Sequence, residues 1–127
     1  MSDTVLDTSA ILALVYHEPG WERAEASFAN GVVSSLIFAE VVTSLVLRGG
    51  VAVGIEQVWS ALGLQVQPFD DVRAFAAGLL VARTRRLGLS LADRACLALA
   101  IELGIPAVTA DRAWSKLDLP VEIRIIR

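Results

Sequence analysis

Four acids in four separate segments, Asp7, Glu40, Asp93 and Asp111, are the residues of this sequence best suited to chemistry. Carboxylates gathered at one place repel, and in an empty site at least one of them takes up a proton. A divalent cation relieves that repulsion. Ligands that are all oxygen select a hard ion, Mg²⁺ or Mn²⁺, which keeps several of its waters. An ion held this way suits phosphodiester hydrolysis, because it activates water and offsets charge on the phosphate and the leaving oxygen. Three of the acids also have a structural reading. Asp7 can cap a helix beginning at Thr8, and Asp111 can cap a turn beginning at Arg112. Asp93 stands three residues after Ser90, as in a capping box. Glu40 lies among Ile37, Phe38, Ala39, Val41 and Val42. A carboxylate withheld from water there needs a cation or an arginine beside it.

The elements that must position these acids follow from hydrophobic pattern and breakers. Short apolar runs read as strands at Thr4 to Leu6, Val32 to Val33, Leu64 to Phe69, Pro106 to Thr109 and Val121 to Ile126. Helices are expected over Thr8 to Tyr16, Trp21 to Ala29, Leu36 to Leu47, Val51 to Leu62, Asp71 to Arg86 and Leu91 to Leu103. A short helical turn is expected over Arg112 to Leu117. Strands separated by helices need crossover connections, which predicts a three-layer α/β/α sandwich around a mainly parallel sheet. In such sheets ligands bind beyond the carboxyl ends of the strands. Asp7 and Asp111 follow strands, Asp93 lies in the first turn of its helix and Glu40 in the second turn of its own, so a common meeting place is expected for the four.

Composition narrows the function classes. At 127 residues the chain is expected to form a single domain, residues 1–127. Hydrophobic residues make up 55% of it and the mean hydropathy is +0.61, which calls for a sheet buried on both faces plus an apolar association surface. The helix Leu36 to Leu47, apolar nearly all round, and the stretch Leu12 to Tyr16 fit such a surface, to be covered by a second copy or by a partner. Val32 to Leu47 is shorter than the roughly 20 residues of a membrane span and contains Glu40, so no span is expected. The N-terminus lacks the pattern of a signal peptide, and a cytoplasmic protein is expected. A single Cys, Cys96, and a single His, His17, exclude a tetrahedral zinc site. Cys96 reads as a small buried hydrophobe. A net charge of −3 argues against a protein that coats nucleic acid but leaves a nuclease open. Arg83, Arg85 and Arg86 read either as a second set of phosphate contacts or as cations at a helix C-terminus. Of Trp21, Trp59 and Trp114, all read as packing residues, Trp114 is the best placed for base stacking because it is near Asp111.

Four segments together resemble the motifs of PIN-domain proteins, closest to the VapC type of bacterial and archaeal toxin. They are Val5-Leu6-Asp7-Thr8-Ser9-Ala10-Ile11-Leu12, Phe38-Ala39-Glu40-Val41, Leu91-Ala92-Asp93-Arg94-Ala95 and Val108-Thr109-Ala110-Asp111-Arg112. The resemblance implies a Mg²⁺- or Mn²⁺-dependent endoribonuclease with Asp7, Glu40, Asp93 and Asp111 as the metal-binding acids. It implies hydroxyls near the metal at Thr8 or Ser9 and at Thr109. It also implies an RNA substrate, a small VapB-like antitoxin as partner, and a homodimer. Arg94 and Arg112 directly follow two of the acids and read either as RNA-phosphate contacts or as solvated charges. Two other classes compete. One is a catalytically silent PIN fold that only binds. The other is a phosphoacceptor or signalling α/β module, which fits poorly. Ser9 stands where a haloacid-dehalogenase-type enzyme has its second Asp, and Lys116 lies in a turn rather than directly after a strand.

Overall fold

The structure, a computed structural model, describes residues 2–127. Five strands, β1 (Thr4–Leu6), β2 (Gly31–Ser34), β3 (Gln65–Gln67), β4 (Ala107–Thr109) and β5 (Ile123–Ile125), form one sheet in the order β3-β2-β1-β4-β5. All four pairings are parallel. Parallel neighbours cannot be joined by a tight turn, and here helices supply most of the crossovers. They are α1 (Thr8–Tyr16), α2 (Trp21–Ala26), α3 (Ser35–Leu47), α4 (Ala52–Leu62), α5 (Asp71–Leu79), α6 (Val81–Thr84) and α7 (Leu91–Leu103). The α/β sandwich expected from the sequence is the fold observed, and the sheet is wholly rather than mainly parallel.

Burial explains why the central strands carry unbroken apolar runs. Every residue of β1, β2 and β4 is buried, because helices cover both faces. Val5, Leu6, Val32, Val33 and Val108 meet Ile11, Ile37, Val41, Leu97 and Leu99 in one core. The edge strands β3 and β5 are half exposed. Gly31 opens β2 because a Cβ there would lie 2.9 Å from Leu64 and 3.0 Å from Leu6. No helix among the described residues is long and apolar enough to cross a membrane.

Most boundaries shift by one to three residues from the sequence reading, but one element differs in kind. The helix expected over 71–86 is three pieces, α5, α6 and a 3₁₀ turn at Arg85–Leu87. Thr84 is the cause closest to the break. Its hydroxyl donates to the Leu80 carbonyl at 2.9 Å, a back-bond that bends helices, and its own backbone leaves the helical region at φ −125°. Gly78 weakens the preceding turn. The region Arg112–Lys116 is likewise a 3₁₀ turn.

Chain order sets where a ligand site can form. From β1 the chain steps outward to β2 and β3, then returns to place β4 on the other side of β1. In open α/β sheets such a reversal is where ligands bind, here at the carboxyl ends of β1 and β4. The backbone N–H of Asp7 donates to the Val108 carbonyl at 2.9 Å, at that junction. Since α7 feeds a strand parallel to β1, its N-terminus opens on the same edge.

Candidate metal centre

Asp7 is the residue after β1 and is 4% exposed. It occupies the N-cap position of α1 yet makes no side-chain capping bond. One oxygen, Oδ2, accepts two hydroxyls: Ser9 Oγ at 2.8 Å and Thr109 Oγ1 at 2.9 Å. The other oxygen, Oδ1, is buried without a hydrogen-bond partner. Burial pushes the carboxyl from its ordinary 3.8 up to about 6, opposed by the Ser9 hydroxyl and reinforced by the charge of Asp93.

Ser9 and Thr109 join the two strand ends. Their hydroxyls lie 3.1 Å apart. Ser9 Oγ accepts the Ala110 N–H at 2.9 Å, and Thr109 Oγ1 accepts the Asp111 N–H at 3.1 Å. Thr8 points elsewhere and donates to Glu40 Oε1. Adjacent helical residues diverge, so the two hydroxyls serve two different acids. Glu40, half-buried on α3, is thereby tied to the start of α1.

Asp93 and Asp111 each spend one oxygen on capping. Asp93 Oδ2 accepts from the Ser90 N–H at 2.9 Å, and Ser90 Oγ accepts from the Asp93 N–H at 3.1 Å, completing the capping box. Asp111 Oδ1 accepts from the Ala113 N–H at 2.9 Å and starts the 3₁₀ turn. The capping reading therefore holds for these two acids and fails for Asp7. All four carboxylates share one trait: one oxygen is committed within the chain and the other has no intramolecular hydrogen bond.

The structure brings the four together unequally. Asp7 lies in the field of Asp93, and both also act on Cys96, one turn further along α7. Burial and those two charges hold its thiol well above the ordinary range. Glu40 is reached through Thr8, and Asp111 is exposed at the rim. Among the described residues, no three His, Cys, Asp or Glu side chains stand close enough as placed to hold one ion. Cys96 is fully buried, as its apolar setting predicts. Its proximity to the acids was missed, although its i+3 spacing from Asp93 carries that signal.

Two neighbouring cations are turned to packing contacts. Arg94 donates to the Ala77 carbonyl at 2.9 Å and leaves its Nε buried without a partner. Arg112 Nε donates to the main-chain oxygen of Arg127 at 3.0 Å. Trp114 is 0% exposed, which removes it as a stacking platform. Trp59 packs on Phe38 at 4.4 Å and Trp21 on His17 at 4.2 Å between ring centres.

Comparison with known proteins adds to this geometry. No curated protein sequence matches the chain. Among solved structures, a chain of a toxin-antitoxin complex from Klebsiella pneumoniae is similar with a TM-score of 0.70 at 19% identity, covering 95% of this chain and 100% of that one. VapC20 of Mycobacterium tuberculosis, described as a sarcin-ricin loop cleaving toxin, gives 0.73 at 21%, covering 90% and 94%. A chain of DNA-bound VapBC from Salmonella typhimurium gives 0.68 at 19%, covering 100% of both. At such identities the likeness speaks for the fold. The profile of one family, the PIN domain, matches residues 4–119, a span that includes Asp7, Glu40, Asp93 and Asp111. By that match over most of its length, the chain belongs to the PIN domain family.

Proposed function

We propose that this chain is a divalent-metal-dependent endoribonuclease and the toxin component of a toxin–antitoxin pair. The observation that carries the metal is Asp7 Oδ1, a carboxylate oxygen buried without a partner beside a second acid. Such an oxygen loses its water on folding and gains nothing in return, and a cation is the partner it lacks. The donor set fits a hard ion, Mg²⁺ or Mn²⁺, because all four candidates offer carboxylate oxygen.

The residues divide the work between them. Asp7 offers Oδ1 while Ser9 and Thr109 fix its Oδ2. Glu40, Asp93 and Asp111 offer their uncommitted oxygens from the flanks, and the half-buried or exposed settings of all three leave them room to turn inward. When bound, the cation acidifies water and offsets charge on the scissile phosphate. A small VapB-like antitoxin, a homodimer and a cytoplasmic setting go with this reading. Support for the partners comes from neighbours described as toxin-antitoxin complexes and from exposed apolar surface on α3, α4 and α5. One observation favours a silent PIN fold that only binds, namely that no three acids among the described residues are within reach of one ion.

Metal titration separates the two readings. In chelator-treated protein, Mn²⁺ or Mg²⁺ at about 100 times Kd is expected to stabilise the fold by about 2.7 kcal/mol, seen as a rise in Tm. Asp7→Asn is expected to lose that rise and to lose RNA cleavage. A wild-type Tm indifferent to millimolar ion, or an Asp7→Asn protein that cuts RNA at the wild-type rate, sinks the nuclease reading.

A further inference from the structure

The charge of the chain is split along its length. Eight of its 11 Lys and Arg residues follow residue 82, against five of its 14 acids, so the last third is positive although the whole is −3. Four of those eight cations have intramolecular work. Arg83 donates to the Asp118 carbonyl at 2.5 Å and pairs with its carboxylate at 3.8 Å. Arg94 and Arg112 hold backbone carbonyls, and Arg124 pairs with Glu122 at 2.7 Å. Arg85, Arg86 and Lys116 differ. All three are exposed, and, as for Arg127, none of their side chains makes a hydrogen bond or ion pair with the described residues.

Their place in the fold is the edge that bears the acids. Arg85 and Arg86 lie in the 3₁₀ turn that leads through Ser90 into α7, whose first turn carries Asp93. Lys116 ends the 3₁₀ turn that Asp111 begins. The Arg83–Asp118 contact joins α6, just before the first of these turns, to the segment just after the second. A position in the last helical turn suits Arg85 and Arg86 but engages neither guanidinium in a hydrogen bond.

We propose that Arg85, Arg86 and Lys116 form a cationic track that holds the phosphate backbone of an RNA strand along the carboxylate edge. This rests on the ribonuclease reading above. Guanidinium forks suit bidentate phosphate contact, and such contacts position a strand without reading its sequence. A strand on this track passes the two turns that carry Asp93 and Asp111, so the same edge binds and orients the ester to be cut.

The test is binding of a labelled single-stranded RNA in EDTA, where no ion supports cleavage, across a salt series. Arg85→Gln/Arg86→Gln is expected to raise Kd of the order of tenfold at low salt. It should also flatten the salt slope by about 1.4, at roughly 0.7 for each phosphate no longer neutralised. Lys116→Gln should give about half that change in slope. Arg23→Gln, an exposed cation on α2, controls for net charge and should leave both readings unchanged. These side chains are exposed, so an unaltered Tm accompanies each result. A double variant that binds with wild-type Kd and slope, or an Arg23→Gln protein weakened as much, overturns the track alone. A wild-type chain that neither binds nor cuts RNA overturns the nuclease reading and the track together.

Discussion

At pH 7 the Asp7 carboxylate carries a charge that its surroundings disfavour. Below 3.8 the carboxyl is protonated in both folded and unfolded chains, so it contributes nothing to pH dependence. Between 3.8 and about 6 the unfolded chain is ionised while the folded one keeps its proton, so stability falls as pH rises. Above that window the penalty is complete, of order 3 kcal/mol at about 1.4 kcal/mol per pH unit. Urea unfolding in chelator from pH 4 to 7.5 is therefore expected to show a decline that Asp7→Asn flattens, whatever the offset between the two proteins. Equal slopes in both proteins would show that the ionised Asp7 is not a folding cost. Because a cation competes with the same proton, its affinity should weaken below pH 6. Residue types and spacing marked all four acids in the sequence but could not choose between cap and ligand. Asp93 and Asp111 turn out to cap with one oxygen and keep the other, so the two readings were never exclusive. Nor could spacing divide Thr8 from Ser9. That choice depends on which way α1 leaves β1, and the long-range partners, Glu40 for Thr8 and Thr109 for Ser9, fix it.

Elements were legible in kind where a strong local signal agreed with burial. The Ser90 capping box and the buried run Thr4–Leu6 are examples, and both are observed as read. The continuous helix over 71–86 was not, because a threonine that back-bonds to Leu80 has no signature in apolar spacing. Close approaches between distant elements are equally silent in sequence. Gly20 starts α2 at φ +91°, and a Cβ there would fall 2.2 Å from the Ile126 carbonyl oxygen. Gly88, at φ +65°, has nothing within 4 Å of such a Cβ. Gly88→Ala is thus expected to cost only the left-handed backbone, about 1–2 kcal/mol. Gly20→Ala adds a clash with backbone that cannot swing aside, and should cost at least about twice as much by chemical denaturation. Equal losses at the two positions would mean that the segment around Ile126 yields easily and does not clamp the start of α2.

The hydrophobic excess of the whole molecule is only partly spent in the core. Some of it surfaces on α3 and α4, where Leu47 is 82% exposed and Phe38, Val42, Val46, Ile55 and Trp59 line a groove of about 490 Å³. The sequence pointed to this helix and to Leu12 to Tyr16, but not to the stripe on α5. On α5, Val72, Phe75 and Leu79 recur at i, i+3 and i+7 and are 73%, 70% and 61% exposed, while the only buried residue of that helix is Ala77. Periodicity finds such a stripe but cannot say which side the core takes, and here the core takes the small residue. A straight apolar stripe on one helix is self-complementary about a two-fold axis, the usual symmetry of small homodimers. The homodimer of the proposed toxin is accordingly expected to form through α5, leaving the α3/α4 groove to a different partner. Analytical ultracentrifugation of the purified chain at micromolar concentration should give twice the chain mass. Phe75→Glu should give the single-chain mass with the protomer fold intact by circular dichroism, because the side chain is exposed within one copy. Leu47→Glu should remain a dimer. A Phe75→Glu protein that still sediments at twice the chain mass, or a Leu47→Glu protein that falls apart, would assign the two faces the other way round.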